Sequence, residues 1–88
     1  MAARRPSREV GVLTVLRSGR CQVLFHSREH EPPHVHVKSS SGTAVFGLAP
    51  VLLLRTKSYT PRELNQIEQL VINHRRDFLR RWHEHFNQ

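Results

Sequence analysis

Between residues 11 and 17 the run Val12-Leu13-Thr14-Val15-Leu16 is dense in β-branched and aliphatic side chains. Such a run fits a pleated, half-buried surface and predicts a strand. Ser18-Gly19 follows as a turn signal, and residues 21–27 repeat the apolar density around Val23-Leu24-Phe25, so the two segments predict a hairpin. From residue 28 to 33 the chain is polar and ends in Pro32-Pro33. Neither proline has an N–H for a sheet ladder, and each pushes the residue before it to extended geometry, which makes the segment a stiff loop. Residues 34–38 then alternate as His34-Val35-His36-Val37-Lys38. That period predicts a third strand, with the valines on the core face and the histidines and Lys38 on the other. Ser39-Ser40-Ser41-Gly42 is a loop, and residues 43–48 predict a fourth strand, antiparallel to the third. Beyond Pro50, Val51-Leu52-Leu53-Leu54 is apolar without a period and fits either a short strand or a turn of helix.

The C-terminal third changes period. Thr60-Pro61-Arg62-Glu63 has the form of a capping box with proline at the first helical position. Apolar residues follow at Leu64, Ile67, Leu70, Val71, Phe78, Leu79, Trp82 and Phe86, spacings of three and four that make one helical face. A helix over 61–86 would run roughly 39 Å. That is long for so small a domain, and it predicts either a break near Asn73 or a far end that projects. The elements together predict an α+β fold, a small antiparallel sheet of about four strands packed on a long C-terminal helix. Residues 10–88 are expected to form a single domain, and residues 1–9, with three arginines and almost nothing apolar, are expected to be a flexible basic arm.

Charge sharpens this picture. The 88 residues carry 14 Lys+Arg against 7 Asp+Glu, a formal charge of +7, and lysine occurs only at Lys38 and Lys57. An arginine-dominated surplus favours an anionic partner, either nucleic acid or an acidic protein. Cys21 is the single cysteine, so no internal disulfide forms, and its apolar neighbours predict packing rather than reactivity. No apolar stretch reaches the roughly 20 residues of a membrane span, and no signal-like apolar segment follows the basic start. The cytoplasm is the expected compartment.

The candidate chemistry lies in Glu29-His30-Glu31-Pro32-Pro33-His34-Val35-His36. His34 and His36 sit side by side on a strand face, about 6.5–7 Å apart at Cα. Acid–base catalysis without metal is one reading, with His30, His34 and His36 as catalytic candidates. Imidazole titrates near neutrality, and cleavage of an RNA phosphodiester needs a base, an acid and a cation on the developing charge. Arg28 and Lys38 flank the segment as that cation. A second reading is a zinc-like divalent metal held by His34 and His36, with His30, His26 or Glu29 completing the shell. The plain reading is that the imidazoles hydrogen-bond carbonyls around the Pro-Pro loop, with no cofactor. On the helix, Arg75, Arg76 and Arg80 form a second anion-binding candidate. Arg76, Arg80 and His83 fall on one stripe, although cations near a helix C-terminus also answer its dipole. Asp77 is placed to pair with Arg80 or Arg81. His83-Glu84-His85 is not a chelate on a helix, because positions i and i+2 face apart.

With these residues in view, the chain resembles a bacterial family of small proteins, domain-of-unknown-function family 4160. The resemblance rests on Glu29-His30 followed by Pro32-Pro33-His34-X-His36, and on a C-terminal helix with His74-Arg75, then Leu79 and Trp82. It implies a compact α+β domain in prokaryotes, in two-gene operons that look like toxin–antitoxin pairs, beside a small cognate antitoxin-like partner protein. It points to His30, His34 and His36 as site residues and to Trp82 as core. Relatives tend to be acidic where this helix carries Arg76 and Arg80. The function expected on this reading is a toxin-like component that binds or acts on RNA or the ribosome, with a ribonuclease-type activity if it is an enzyme, and with no membrane involved. A metal-binding domain and a non-enzymatic interaction module are the alternatives.

Overall fold

The computed structural model describes residues 12–27 and 29–86. Its elements are β1 (Val12–Ser18), β2 (Cys21–His26), β3 (His34–Ser39), β4 (Gly42–Leu48), β5 (Val51–Lys57), α1 (Pro61–Asn73) and α2 (Arg75–Phe86). The strands form one sheet in sequence order, each antiparallel to the next. Two turns depend on glycine. Gly19 closes the β1–β2 hairpin at a φ of 59°, where a side chain would be strained. Gly42 begins β4 with its backbone against the Lys57 carbonyl and the Tyr59 amide, leaving no room for a Cβ.

Period-2 alternation divides the sheet as the sequence predicts. Val23, Phe25, Val35, Val37, Ala44, Phe46 and Leu48 face the helices and form the core with Ile67 and Val71 of α1 and Phe78 and Trp82 of α2. Cys21 packs against this cluster. No polar side chain is fully buried among the described residues, so the core is purely apolar. The opposite face carries Leu24, His36, Lys38 and Val45 and is not covered by either helix.

The strand count exceeds the expected four, and the break expected near Asn73 is present. The segment after Pro50 is a fifth strand, seven residues long, which makes β5 an edge of the sheet. A bulge between Val45 and Phe46 shifts its register against β4, and Leu52, Leu53 and Leu54 stand exposed. This explains why Val51-Leu52-Leu53-Leu54 shows no period, since neither face of this edge strand is buried. The long helix is also interrupted at His74, beside the expected Asn73. The His74 amide is shared between the Leu70 and Val71 carbonyls, and its ring Nδ1 donates to Leu70 O at 2.9 Å. His74 itself leaves helical geometry, with φ −111° and ψ 10°, which ends α1 without proline or glycine. The start of α1 is as the sequence predicts: Thr60 accepts from the Glu63 amide at 3.1 Å, and the Glu63 carboxylate accepts from the Thr60 amide at 2.8 Å. The basic arm expected over residues 1–9 lies outside the described residues.

Candidate functional site

The alternating third strand does present His34, His36 and Lys38 together, and Val35 and Val37 turn into the core. Leu24 of β2 stands opposite His36, so His26, two residues beyond Leu24, shares its face. The His26 and His36 rings stack with centroids 4.0 Å apart and planes 17° from parallel. In the connection between the two strands, Glu29 lies against His26, His34 and His36.

Glu29 is the hub. Its Oε1 lies 2.6 Å from His34 Nε2, and its Oε2 lies 2.9 Å from His36 Nε2 and 3.0 Å from His26 Nδ1. The second nitrogen of His34, Nδ1, is 2.9 Å from the Pro32 carbonyl. That oxygen only accepts, so Nδ1 carries a proton and fixes the ring's orientation. Burial pushes the Glu29 carboxyl up, but the His34 hydrogen bond and the charges of His34 and His36 outweigh it and hold the carboxyl below its usual range. His36 moves down because burial disfavours its charged form and His26 adds repulsion, with Glu29 opposing both.

The cluster is braced from the core side. Trp82 Nε1 donates to Glu31 Oε2 at 3.0 Å, and the indole packs 5.2 Å from the His34 ring and edge-on to Phe25 at the same separation. The Leu48 amide donates to the Pro33 carbonyl at 3.1 Å, which pins the other end of the loop to β4. Trp82 is therefore a core residue, as its spacing predicts, and also the support beneath the histidines.

On the uncovered face the cluster opens into a groove of about 560 Å³. Leu24, Val45, His26 and His36 line it together with the cations Lys38, Arg55 and Lys57. The register explains the cations: Val45 pairs with both His36 and Arg55, and Thr43 pairs with both Lys38 and Lys57, so Arg55 shares a row with His36 and Lys57 one with Lys38.

The remaining sequence candidates separate. His30 is exposed and makes none of the Glu29 contacts. Arg28 lies outside the described residues. Arg75 donates through Nε to the Leu48 carbonyl at 2.6 Å, a structural tie from α2 to the end of β4. Arg80 is paired with Asp77 and with Glu84, the latter at 3.2 Å, and Arg81 Nε lies 3.2 Å from Asp77. Asp77 thus serves both arginines expected for it. Arg76 is exposed. Much of the helix charge is answered within the helix, whereas the sheet face gathers three exposed cations beside the histidines. Arg55 and Lys57 are functional candidates that sequence reasoning did not reach, because only the β4–β5 register brings them beside Lys38.

A family model described as "Domain of unknown function (DUF4160)" matches residues 21–83. The chain belongs to this family. No curated protein and no solved structure matches the chain. The DUF4160 region contains the whole Glu29 cluster, the cations of the groove and Trp82, and leaves out β1. Among the described residues no helix is long and apolar enough to cross a membrane.

Proposed function

We propose that this DUF4160 protein is the toxin-like member of a two-protein pair, acting in the cytoplasm on an RNA ligand bound along the open face of its sheet. The observation that carries the reading is that the cations Lys38, Arg55 and Lys57 and the imidazoles of His26 and His36 line one groove. A phosphodiester backbone fits both chemistries: cations neutralise its phosphates, and imidazoles can exchange protons with an attacking hydroxyl or a leaving oxygen. Within the cluster His36 faces the groove, while His34 is engaged at both nitrogens and acts through the carboxylate it shares. The net charge of +7 suits both the RNA and a small acidic partner that would silence the protein by covering this face.

Tightly controlled induction in a bacterial host tests the reading, comparing wild type, His34→Ala and a triple reversal Lys38→Glu/Arg55→Glu/Lys57→Glu. Arrest by wild type and its loss in both variants is the expected result. In parallel, the triple reversal should lower the slope of log affinity against log salt by about 2 for single-stranded RNA, at roughly 0.7 per phosphate contact. Growth unaffected by soluble wild type, or RNA affinity unchanged in the triple variant, refutes it.

An interaction module is the second reading, and the edge strand β5 favours it. Leu52 and Leu54 are half exposed on a strand whose outer backbone edge carries no neighbour among the described residues. Such an edge invites pairing with another chain. Sedimentation of wild type against Leu52→Lys/Leu54→Lys separates the readings, since a monomer in both cases argues against self-pairing there.

A further inference from the structure

We infer that His26, Glu29 and His36 form a binding site for one divalent transition-metal ion at the head of the groove, with His34 as a positioning residue behind it. An ion held by His26 and His36 would take the place of their proton exchange in the RNA reading, so the two are tested apart. The donor atoms come from the end of β2, the connecting loop and β3, and all lie within 4.8 Å of one another. Glu29 Oε2 is 3.0 Å from His26 Nδ1 and 2.9 Å from His36 Nε2. Metal–ligand bonds near 2.1 Å place neighbouring donors about 3.0–3.4 Å apart, a spacing Glu29 Oε2 already has to both nitrogens, and the stacked His26 and His36 rings turn about their side-chain bonds to aim both nitrogens at one ion.

The surroundings match what a metal centre requires beyond its ligands. Glu29's other oxygen is fixed by His34 at 2.6 Å, and His34 is itself fixed by the Pro32 carbonyl at 2.9 Å and packed on Trp82. Outer contacts of this kind orient ligating carboxylates and raise affinity. His26 and His36 also line the groove, which supplies an entry path. Two imidazole nitrogens and one carboxylate oxygen, with no thiolate, select zinc, nickel, cobalt or ferrous iron. Magnesium and calcium prefer all-oxygen shells. The site differs from the pair expected from sequence: His36 is a ligand, His34 moves behind Glu29, and His26 takes its place.

The full chain, purified without an affinity tag and stripped with chelator, is titrated with cobalt(II) by visible absorption and with zinc by calorimetry. One equivalent should bind. His26→Asn and His36→Asn should each weaken uptake by at least about a hundredfold, and His34→Asn by about tenfold at unchanged stoichiometry. Glu29→Gln, close to isosteric, should weaken it strongly as well and replaces any histidine variant that fails to fold. His83→Asn/His85→Asn should bind as wild type, and uptake is measured without RNA, so failure of the RNA reading leaves this result untouched. No uptake by folded wild type at submillimolar metal overturns the inference. So does wild-type uptake in the His26, His36 or Glu29 variant, or loss of uptake in the His83/His85 variant.

Discussion

Replacing Trp82 with phenylalanine removes the indole N–H and the outer part of a ring that is fully buried and that carries both the loop and the His34 imidazole. Complete truncation of a buried aromatic costs about 3–5 kcal/mol. A phenyl ring keeps the larger part of the contact with Phe25, so the packing loss here is about 1–2 kcal/mol. A hydrogen bond to a charged group contributes about 1.5–3 kcal/mol, but Glu31 is exposed and regains water, which leaves about 1 kcal/mol. The sum is about 2–3 kcal/mol, which with a urea slope near 1 kcal/mol/M shifts the unfolding midpoint down by about 2–3 M. Far-UV circular dichroism is the proper probe, because Trp82 is the only tryptophan in the chain. Glu31→Gln keeps an acceptor and should lose less than about 1 kcal/mol, and the double variant should show a coupling of about 0.5–1.5 kcal/mol. A loss below about 0.5 kcal/mol in Trp82→Phe, or no coupling to Glu31, would mean that the indole does not brace the site.

Acid should weaken the cluster through two groups with the same sign. The Glu29 carboxyl is held below its ordinary value of 4.5 and the His36 imidazole below 6.5, so each stabilises the folded state above that value and loses its contribution as pH falls through the lower folded one. Ring-carbon NMR should place the His36 midpoint below 6.5, and a midpoint above it contradicts the account. Gly42→Ala drives a Cβ into the backbone of Lys57 and Tyr59 and should cost about 1–3 kcal/mol, read as a fall in melting temperature; an unchanged value would rule out the close approach. Arg75→Ala strips a charged donor from the buried Leu48 carbonyl and should lose about 1.5–3 kcal/mol in urea unfolding, whereas the neighbouring Arg76→Ala stays within about 0.5 kcal/mol. Equal effects at the two positions would remove the structural role given to Arg75.

Where a local rule was complete, the sequence was enough. The capping box at Thr60 and Glu63, the Ser18-Gly19 turn and the alternation from His34 to Lys38 each depend on neighbours within a few residues, and each stands as read. The fifth strand was not legible because an exposed edge has no buried face to impose a period on its leucines. The helix break was half legible: it falls at His74, beside Asn73, but the histidine ring set on a carbonyl one turn back leaves no composition mark. In the site, the two histidines of β3 could be placed by alternation. Their convergence on Glu29 could not, because it depends on where the loop between β2 and β3 sets that carboxylate. His30 sits next to Glu29 in sequence yet faces solvent, and His26, eight residues before His34, closes the cluster. The cations of the groove needed the pairing of β4 with β5, a long-range fact that a bulge shifts by one residue.

The meander order of the sheet has a kinetic consequence. Three of its four connections are two residues long, so each new strand pays little loop-closure entropy to pair with the one before it. The sheet can zip locally and early. The bond from Trp82 to Glu31 closes 51 residues, the longest reach in the site, and belongs to the docking of α2. Assembly of the sheet alone would therefore leave the loop that carries Glu29 without its brace. The chemistry of this protein would arrive last, with the seating of one indole, and in a stopped-flow refolding trace the tryptophan emission would mark the moment at which the histidines acquire their shared carboxylate.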